Sequence, residues 1–185
     1  MHMRVIGVVG LPGSGKGEFS RIAGELDIPV VVMGDSIREY VSTSGQTLSD
    51  LSMGEASARL RAQMGRDAIA QLTIPRVQAT GAEVVVIDGI RSESEVLLFR
   101  EHFPDFYLVG VVCPFAVRIM RIVNRGRDDD VTSTEELTAR DERERGWGLD
   151  AALAMADVTV SNAAGMEEYE AAVRTLLYRC LKRDV

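Results

Sequence analysis

The sequence has little cysteine and no long apolar run. Cys113 ends an apolar stretch and Cys180 lies on the apolar face of a helical pattern, so two buried free thiols are expected and no metal site. No apolar stretch approaches the length of a membrane span, and the first residues lack the pattern of a signal peptide. These absences predict a cytoplasmic protein that does not enter a membrane.

Acidic residues outnumber basic residues, which restricts the classes of partner that the protein can bind. The chain has 21 lysines and arginines against 28 aspartates and glutamates, a formal net charge of -7. Excess negative charge opposes nonspecific binding to nucleic acid or to an anionic membrane, whereas small anionic substrates remain compatible where arginines line a cleft. With 185 residues, 46% of them hydrophobic, the chain can bury one core but not two large ones. We expect one domain over residues 1–185.

A phosphate-binding loop is the most specific motif in the sequence. It directly follows the apolar run at 5–9 and directly precedes a helical pattern. The loop consists of Gly10, Leu11, Pro12, Gly13, Ser14, Gly15, Lys16 and Gly17. Its glycines let backbone N–H groups converge on the β- and γ-phosphates, the helix adds its positive N-terminal end, and the lysine adds a point charge. The loop therefore predicts binding of a nucleoside triphosphate.

The loop lacks a hydroxyl group directly after its lysine. The Walker pattern has Ser or Thr there to ligate Mg²⁺, whereas this chain has Gly17 and then Glu18. Glu18 either complements the helix dipole in the first turn or reaches a water bound to Mg²⁺, and both interpretations stay open. Other residues are therefore expected to hold the metal.

Runs of β-branched residues alternate with helical patterns along the chain. Strands are expected at 5–9, 30–33, 83–87, 107–112 and 158–160. Because these runs are almost continuously apolar, they indicate a parallel sheet covered on both faces. The expected fold class is α/β, with a doubly wound five-stranded parallel sheet of the P-loop NTPase fold. Ligands of such folds bind at the carboxyl ends of the strands.

Residues of functional type stand at those strand ends. Asp88 closes the third run, where a Walker B carboxylate would hold the water shell of Mg²⁺ beside the loop phosphates. The alternative role, an N-cap, is better met by Ser92. Asp35 and Arg38 follow the second run, and Arg91 comes three residues after Asp88. For the two arginines, a solvated pair with a neighbouring carboxylate is the alternative.

Two of these motifs resemble adenylate kinase. Residues 12–17 resemble its Gly-x-Pro-Gly-x-Gly-Lys-Gly-Thr loop, and residues 34–38 resemble its Thr-Gly-Asp-x-x-Arg element. The resemblance implies that Asp35 helps to hold the Mg²⁺ waters and that Arg38 binds the phosphate of the acceptor. It implies the same acceptor role for Arg91.

An arginine-rich segment resembles the lid of nucleoside monophosphate kinases. There, Arg-Gly-Arg-x-Asp-Asp leads into a helix with further arginines, and lid closure brings these cations onto the transferring phosphoryl group. Arg125 and Arg127 are the first candidates for this role, and Arg121, Arg140 and Arg143 are further ones. For some of them, a solvated run of i,i+4 charge pairs is the alternative.

Nearly end to end, the sequence resembles an archaeal P-loop nucleotide kinase family related to adenylate kinase and dephospho-coenzyme A kinase. The resemblance implies a lid at about 125–147 and a helical acceptor-binding insert at about 36–80, and the sequence pattern over 46–80 is that of a long helical stretch. It also implies ATP and Mg²⁺ as cofactors and transfer of the γ-phosphoryl group to a nucleotide-like or other small acceptor. Lys16, Asp88, Arg125 and Arg127 would be the catalytic residues.

Two residues near the C-terminus have two interpretations each. Asn162 is either a turn residue or, by resemblance to dephospho-coenzyme A kinase, a neighbour of the ATP adenine. Trp147 either closes the lid helix against the core or packs near a base. The sequence favours neither interpretation of the tryptophan.

Two other classes of function stay open. A nucleotide-operated switch or regulatory ATPase acting on a protein or RNA partner would share the loop. The chain lacks the Asn-Lys-x-Asp element of small GTPases and the Asp-Glu pair of many motor ATPases, which weakens this alternative. A binding module without chemistry would account for Glu18 in place of Thr, but Asp88 and the lid arginines argue against it. Both alternatives predict no acceptor-dependent release of ADP.

Overall fold

The computed structural model describes residues 3–125 and 133–183, with the backbone only at Arg125. The strands are β1 (Arg4–Val9), β2 (Val30–Val32), β3 (Val84–Ile90), β4 (Asp105–Val112) and β5 (Val158–Ser161). The helices are α1 (Lys16–Glu25), α2 (Met33–Thr43), α3 (Asp50–Met64), α4 (Ala68–Ala79), α5 (Glu93–His102), α6 (Phe115–Arg125), α7 (Thr134–Gly146), α8 (Leu149–Ala154) and α9 (Met166–Lys182). Among the described helices, none is both long enough and apolar enough to cross a membrane.

The strands form one parallel sheet in the order β2-β3-β1-β4-β5. The central strand, β1, pairs with β3 on one side and with β4 on the other. The expected α/β fold with a five-stranded parallel sheet is therefore confirmed. Because all strands run the same way, the phosphate-binding loop after β1 and the polar residues after β2 and β3 meet at one edge.

Both faces of the sheet are buried, as the apolar strand runs predict. On one face, side chains of β1 such as Val5 and Val9 pack with helices α2, α3, α4, α5 and α8. On the other face, Ile6 and Val8 pack with α1 and α9. The alternation of these four residues along β1 follows from the two-residue period of a strand. The sheet is thus doubly wound, and its carboxyl edge is left for ligands.

The helical stretch expected over 46–80 folds as two helices, α3 and α4. Gly65 ends α3 with a φ of 105°, a backbone conformation that favours glycine. Helix α3 begins after Ser49, whose side chain accepts a hydrogen bond from the N–H of Ser52. The two helices therefore fold back on each other and bring the start of α3 to the ligand edge of the sheet.

Helices α6 and α7 form a small separate cluster beside the main core. Ile122 and Leu137 are its buried members, and Phe115 and Ile119 pack against them. The segment between the two helices, which contains Arg127, lies outside the described residues. The arginine-bearing helix α7 is therefore seated by apolar packing as well as by its charges.

Candidate active site

Three side chains from other elements fix the carbonyl groups of the phosphate-binding loop. The hydrogen bonds run from Arg118 Nη1 to the Pro12 carbonyl (3.0 Å), from Asn162 Nδ2 to the Ser14 carbonyl (3.0 Å) and from Tyr169 Oη to the Gly15 carbonyl (2.9 Å). Because C=O and N–H point in opposite directions in a trans peptide, the N–H groups that follow these carbonyls point the other way. The N–H groups of Gly13, Gly15 and Lys16 thus point away from these supporting side chains and stay available as donors, which is what a phosphate-binding loop requires.

Asn162 therefore supports the phosphate-binding loop. This role differs from both interpretations of the sequence, a turn residue and a neighbour of the ATP adenine. Its side chain is fully buried, and its Oδ1 accepts a hydrogen bond from Arg121 Nη2 at 3.0 Å. Arg121, one of the lid candidates, is thus bound to the last strand's turn beside the loop. Gly15 lies so close that an added Cβ would stand 2.3 Å from Asn162 Nδ2.

Lys16 lies half-buried against its own loop. Its Nζ donates hydrogen bonds to the carbonyls of Gly10 at 2.6 Å and Leu11 at 3.0 Å. Burial lowers the pKa of Lys16 to about 8, and the carboxylates of Asp88 and Glu144 oppose that decrease. The ammonium group is therefore poorly compensated here, and an anionic phosphate beside it would raise its pKa.

Asp88 stands at the level where the loop begins. It pairs in register with Val8 of β1 and Val32 of β2, and only 8% of its surface is exposed. Its Oδ2 accepts a hydrogen bond of 2.8 Å from Ser20 Oγ, and the Lys16 carbonyl oxygen, 3.0 Å from the same Oγ, is the other acceptor within reach of that hydroxyl. Ser20 thus brings a hydroxyl to the site one helical turn after the lysine, where the Walker pattern has one directly after it.

The donor set around Asp88 suits Mg²⁺. Mg²⁺ is usually held by one or two carboxylates, with substrate phosphates and waters completing an octahedron. A carboxylate and a hydroxyl beside the loop match this requirement. In residues 3–125 and 133–183, no three His, Cys, Asp or Glu side chains cluster as metal ligands, so phosphate oxygens and waters would supply the rest of the shell.

Two further carboxylates expected near Mg²⁺ are each paired with an arginine. Glu18 accepts a hydrogen bond from Arg21 Nε at 2.7 Å, one turn along α1. Asp35 is 54% exposed at its side chain and accepts from Arg38 Nη1 at 2.8 Å, one turn along α2. Their roles toward the metal stay predictions. Arg38 is thus paired with a neighbouring carboxylate, that of Asp35.

The structure brings Arg38 and Arg91 into the wall of one cleft. Helix α7 adds two arginines to the same cleft, Arg140 and Arg143. The remaining wall is formed by Gly34, Asp50, Met53, Gly54 and Trp147. Of the five lid candidates, Arg140 and Arg143 therefore lie at this cleft. The side chain of Arg125 and all of Arg127 lie outside the described residues.

A buried carboxylate joins the cleft to the loop. Glu144 of α7 is 1% exposed at its side chain, and its Oε1 lies 3.4 Å from Arg91 Nη1 and 3.3 Å from Arg140 Nε. Burial alone would raise its pKa, but Arg91, Arg140 and Lys16 lower it below its usual range. Glu144 is therefore ionised and pairs with the arginine after β3 and with one of α7, and the loop lysine is close enough to affect its pKa.

A second buried pair attaches α7 to the loop. Arg118 donates to both carboxylate oxygens of Asp141, at 2.9 and 2.5 Å, and both side chains are almost fully buried. The same Arg118 Nη1 binds the Pro12 carbonyl of the loop. Because Arg118 contacts both, a displacement of α7 would change the position of the phosphate-binding loop.

Trp147 closes α7 against α3. The guanidinium carbon of Arg61 lies 4.4 Å from the centre of its ring, and that of Arg143 lies 5.8 Å away. Arg61 in turn pairs with the buried Glu95 at 2.9 Å. This arrangement agrees with the first interpretation of Trp147, packing of the lid helix.

Comparison with known proteins shows where the chain belongs. Residues 9–138 match a family described as "AAA domain". A UPF0200 protein of Methanoculleus marisnigri is 56% identical over 182 residues, which cover 98% of this chain and 100% of that protein. The chain belongs to the UPF0200 family. The match confirms the resemblance to an archaeal P-loop family.

Two solved structures are similar to the whole chain. Shikimate kinase from Bacteroides thetaiotaomicron has a TM-score of 0.57 at 14% identity, covering 97% of this chain and 99% of that one. A gluconokinase from Sinorhizobium meliloti has a TM-score of 0.55 at 19% identity, covering 100% of this chain and 98% of that one. At these identities the likeness shows the fold alone, a five-stranded parallel sheet covered by helices, which the chain shares with these two kinases.

Two neighbouring glycines of the loop should respond oppositely to alanine. Gly15 has a φ of 118° and its Cβ would collide with Asn162, so Gly15→Ala should lower the free energy of unfolding by at least about 2 kcal/mol. Gly17 is helical with nothing within 4 Å of a Cβ, so Gly17→Ala should change it by under about 1 kcal/mol, toward stabilisation. Chemical denaturation measures both variants. Equal losses in the two would contradict this description of the loop.

ATP binding should weaken as pH rises through about 8. Lys16 has a pKa of about 8 in this structure and should have a higher one beside the phosphates, so the bound form takes up protons. Between pH 7 and 9 the Kd for ATP should rise about tenfold. Calorimetric titration measures this, with Lys16→Arg as the control that keeps its charge and should give a flat profile. A flat profile for the unaltered protein would contradict the assignment.

Proposed function

We propose that the protein is a P-loop phosphotransferase that moves the γ-phosphoryl group of Mg²⁺-ATP to a small nucleotide-like or other small acceptor. The observation that carries the proposal is the contiguity of the loop and the arginine cleft through Glu144. A donor bound at Lys16 and an acceptor bound at Arg38 and Arg91 would meet beside this carboxylate. Such an arrangement suits direct transfer between two bound molecules.

Each group has a distinct task in the proposed transfer. Lys16 and the loop N–H groups hold the donor phosphates, and Arg38 and Arg91 orient the acceptor's anionic group. Arg125 and Arg127 stabilise the charge on the transferring group as the segment around them closes. Positioning and electrostatic stabilisation account for most catalysis of phosphoryl transfer, so no covalent intermediate with the enzyme is needed.

Mg²⁺ has a defined place in this proposal. Asp88, assisted by Ser20, would hold it, with Asp35 acting through water. When bound, the ion neutralises charge on the β- and γ-phosphate oxygens. The chain's own contribution is a carboxylate fixed by strand pairing and by a hydrogen bond of 2.8 Å from the serine hydroxyl.

The comparisons support phosphoryl transfer as the class of reaction. Both similar structures named above are small-molecule kinases by title. We further propose that residues 1–185 act as one domain, with an acceptor-binding region at 36–80 and a lid at 125–147, and that the reaction takes place in the cytoplasm, where Mg²⁺-ATP is available.

ADP release should depend on one acceptor in a panel of nucleoside monophosphates, nucleosides and dephospho-coenzyme A. Lys16→Ala should lower the stimulated rate at least about 100-fold, because the cation on the transferring group is lost. Arg38→Ala and Arg91→Ala should each raise the acceptor KM about tenfold or more. Arg59→Ala, an exposed arginine on α3, is the matched control and should leave KM unchanged.

Two results would count against this proposal. An unchanged acceptor KM in both arginine variants would remove the acceptor assignment. A slow ADP release that ignores every acceptor, yet disappears in Lys16→Ala, would instead favour a regulatory ATPase with a protein or RNA partner.

A further inference from the structure

The start of helix α3 places a carboxylate on the cleft arginines of α7. Asp50 lies 2.7 Å from Arg143 Nη2 through Oδ1 and 2.8 Å through Oδ2. The same Oδ1 lies 3.2 Å from Arg140 Nε. A carboxylate held between two guanidinium groups has the geometry of a bound anionic ligand.

Asp50 and Glu144 differ in their freedom to leave these arginines. Glu144 is 1% exposed at its side chain, whereas Asp50 is 22% exposed. Asp50 is the first residue of α3, and the segment that precedes it has no regular secondary structure over 46–49. Removing Glu144 would take a buried carboxylate away from two half-buried arginines, Arg91 and Arg140, whereas Asp50 can turn into water. Of these two carboxylates, Asp50 is therefore the one that a ligand can replace.

The charge of the cleft changes sharply when Asp50 leaves. Its wall contains the guanidinium groups of Arg38, Arg91, Arg140 and Arg143. Against these cations stand Asp35, Asp50 and Glu144, each in an ion pair with at least one of them. Without Asp50 these arginines face one carboxylate fewer, so an anionic group in its place would restore the local charge.

The space and the donors of the cleft agree with such an exchange. With Asp50 in place, the free volume between the wall side chains is about 20 Å³, room for about one water molecule. Arg143 Nε is buried and has no hydrogen-bond partner among residues 3–125 and 133–183. Gly54 allows this guanidinium to approach, because a Cβ there would lie 3.0 Å from Arg143 Nε. An acceptor anion can enter only where Asp50 makes room.

We propose that Asp50 occupies a phosphate subsite on Arg140 and Arg143 and that a phosphate group of the acceptor replaces it on binding. Asp50 is then an internal competitor that favours dianionic phosphate over neutral hydroxyl compounds, which cannot compensate for the lost ion pairs. This inference rests on the proposed function only in identifying the phosphate as part of the acceptor. The exchange itself requires no ATP and no turnover.

Trp147 allows the exchange to be measured directly with inorganic phosphate. It is the only tryptophan in the chain and lies against Arg143, so its fluorescence reports on this guanidinium. Titration with phosphate in the absence of ATP should show about tenfold tighter binding in Asp50→Asn than in the unaltered protein. Asp50→Glu keeps the competing charge and should stay within about threefold of the unaltered protein. Glu55→Gln, an exposed acid one turn along α3, should leave the affinity unchanged.

Two further controls distinguish phosphate binding at this subsite from phosphate binding at the loop and from loss of the fold. Lys16→Ala removes phosphate binding at the loop. Because the proposed subsite lies in the cleft, the tenfold difference should persist when this substitution is present in both proteins. Cooperative thermal unfolding of each variant verifies its fold, and Asp50→Ala replaces Asp50→Asn if the latter does not unfold cooperatively. Phosphate affinity in Asp50→Asn that equals that of Glu55→Gln, or is weaker, would overturn the proposal.

The outcome also distinguishes this inference from the proposed function. Tighter phosphate binding in Asp50→Asn without any acceptor-stimulated ADP release would keep the subsite and reject the kinase. Acceptor-stimulated release with an unchanged phosphate affinity in Asp50→Asn would keep the kinase and reject the role of Asp50.

Discussion

The site depends on one buried carboxylate among cations. Glu144 pairs with Arg91 and Arg140 and lies near enough to Lys16 for each to affect the pKa of the other. Without a compensating charge, these cations would repel one another in a poorly hydrated cleft. The carboxylate of Glu144 lets these cations stay ionised although they lie close to one another. The loop after β1, the arginine after β3 and helix α7 are therefore parts of one electrostatic unit.

The same unit is supported by hydrogen bonds from outside the cleft. Arg118 links Asp141 of α7 to the Pro12 carbonyl, while Asn162 and Tyr169 bind the next carbonyls of the loop. These contacts orient the backbone donors before any phosphate is present, which reduces the cost of ordering them on binding. Preorganisation of this kind is what phosphoryl transfer requires of a protein. The supporting residues come from α6, the end of β5 and α9, so most of the fold contributes to the loop.

Much of the fold could be predicted from local sequence, because its strongest determinants are local. Strands buried on both faces have continuous apolar runs, and the turn at 10–17 needs glycines at close-packed positions, so each leaves a recognisable pattern. Ser92 was expected as a cap, and the structure has a capping box between it and Glu95. The break between α3 and α4 was missed because Gly65 is one glycine within a helical pattern.

The cleft was harder to predict, because its key carboxylates belong to charged segments. Glu144 stands in a run of alternating charges that is typical of a solvent-exposed helix; the i,i+4 spacing from Arg140 indicates a pair but not its burial. Asp50 is separated from Arg143 by 93 positions, and nothing local connects them. Ser20 was missed because the Walker pattern directs attention to the position after the lysine. Ion pairs between residues far apart in the sequence thus cannot be predicted from short motifs.

The central claim is that the γ-phosphoryl group of ATP goes to a small molecule and not to water. Phosphorus-31 NMR of Mg²⁺-ATP with the protein and a mixed pool of small phosphate esters and nucleosides follows that group directly. The account predicts that the γ resonance declines while the resonance of a new phosphate ester or anhydride grows in equal amount. Growth of inorganic phosphate alone, equal to the ATP consumed, would contradict it.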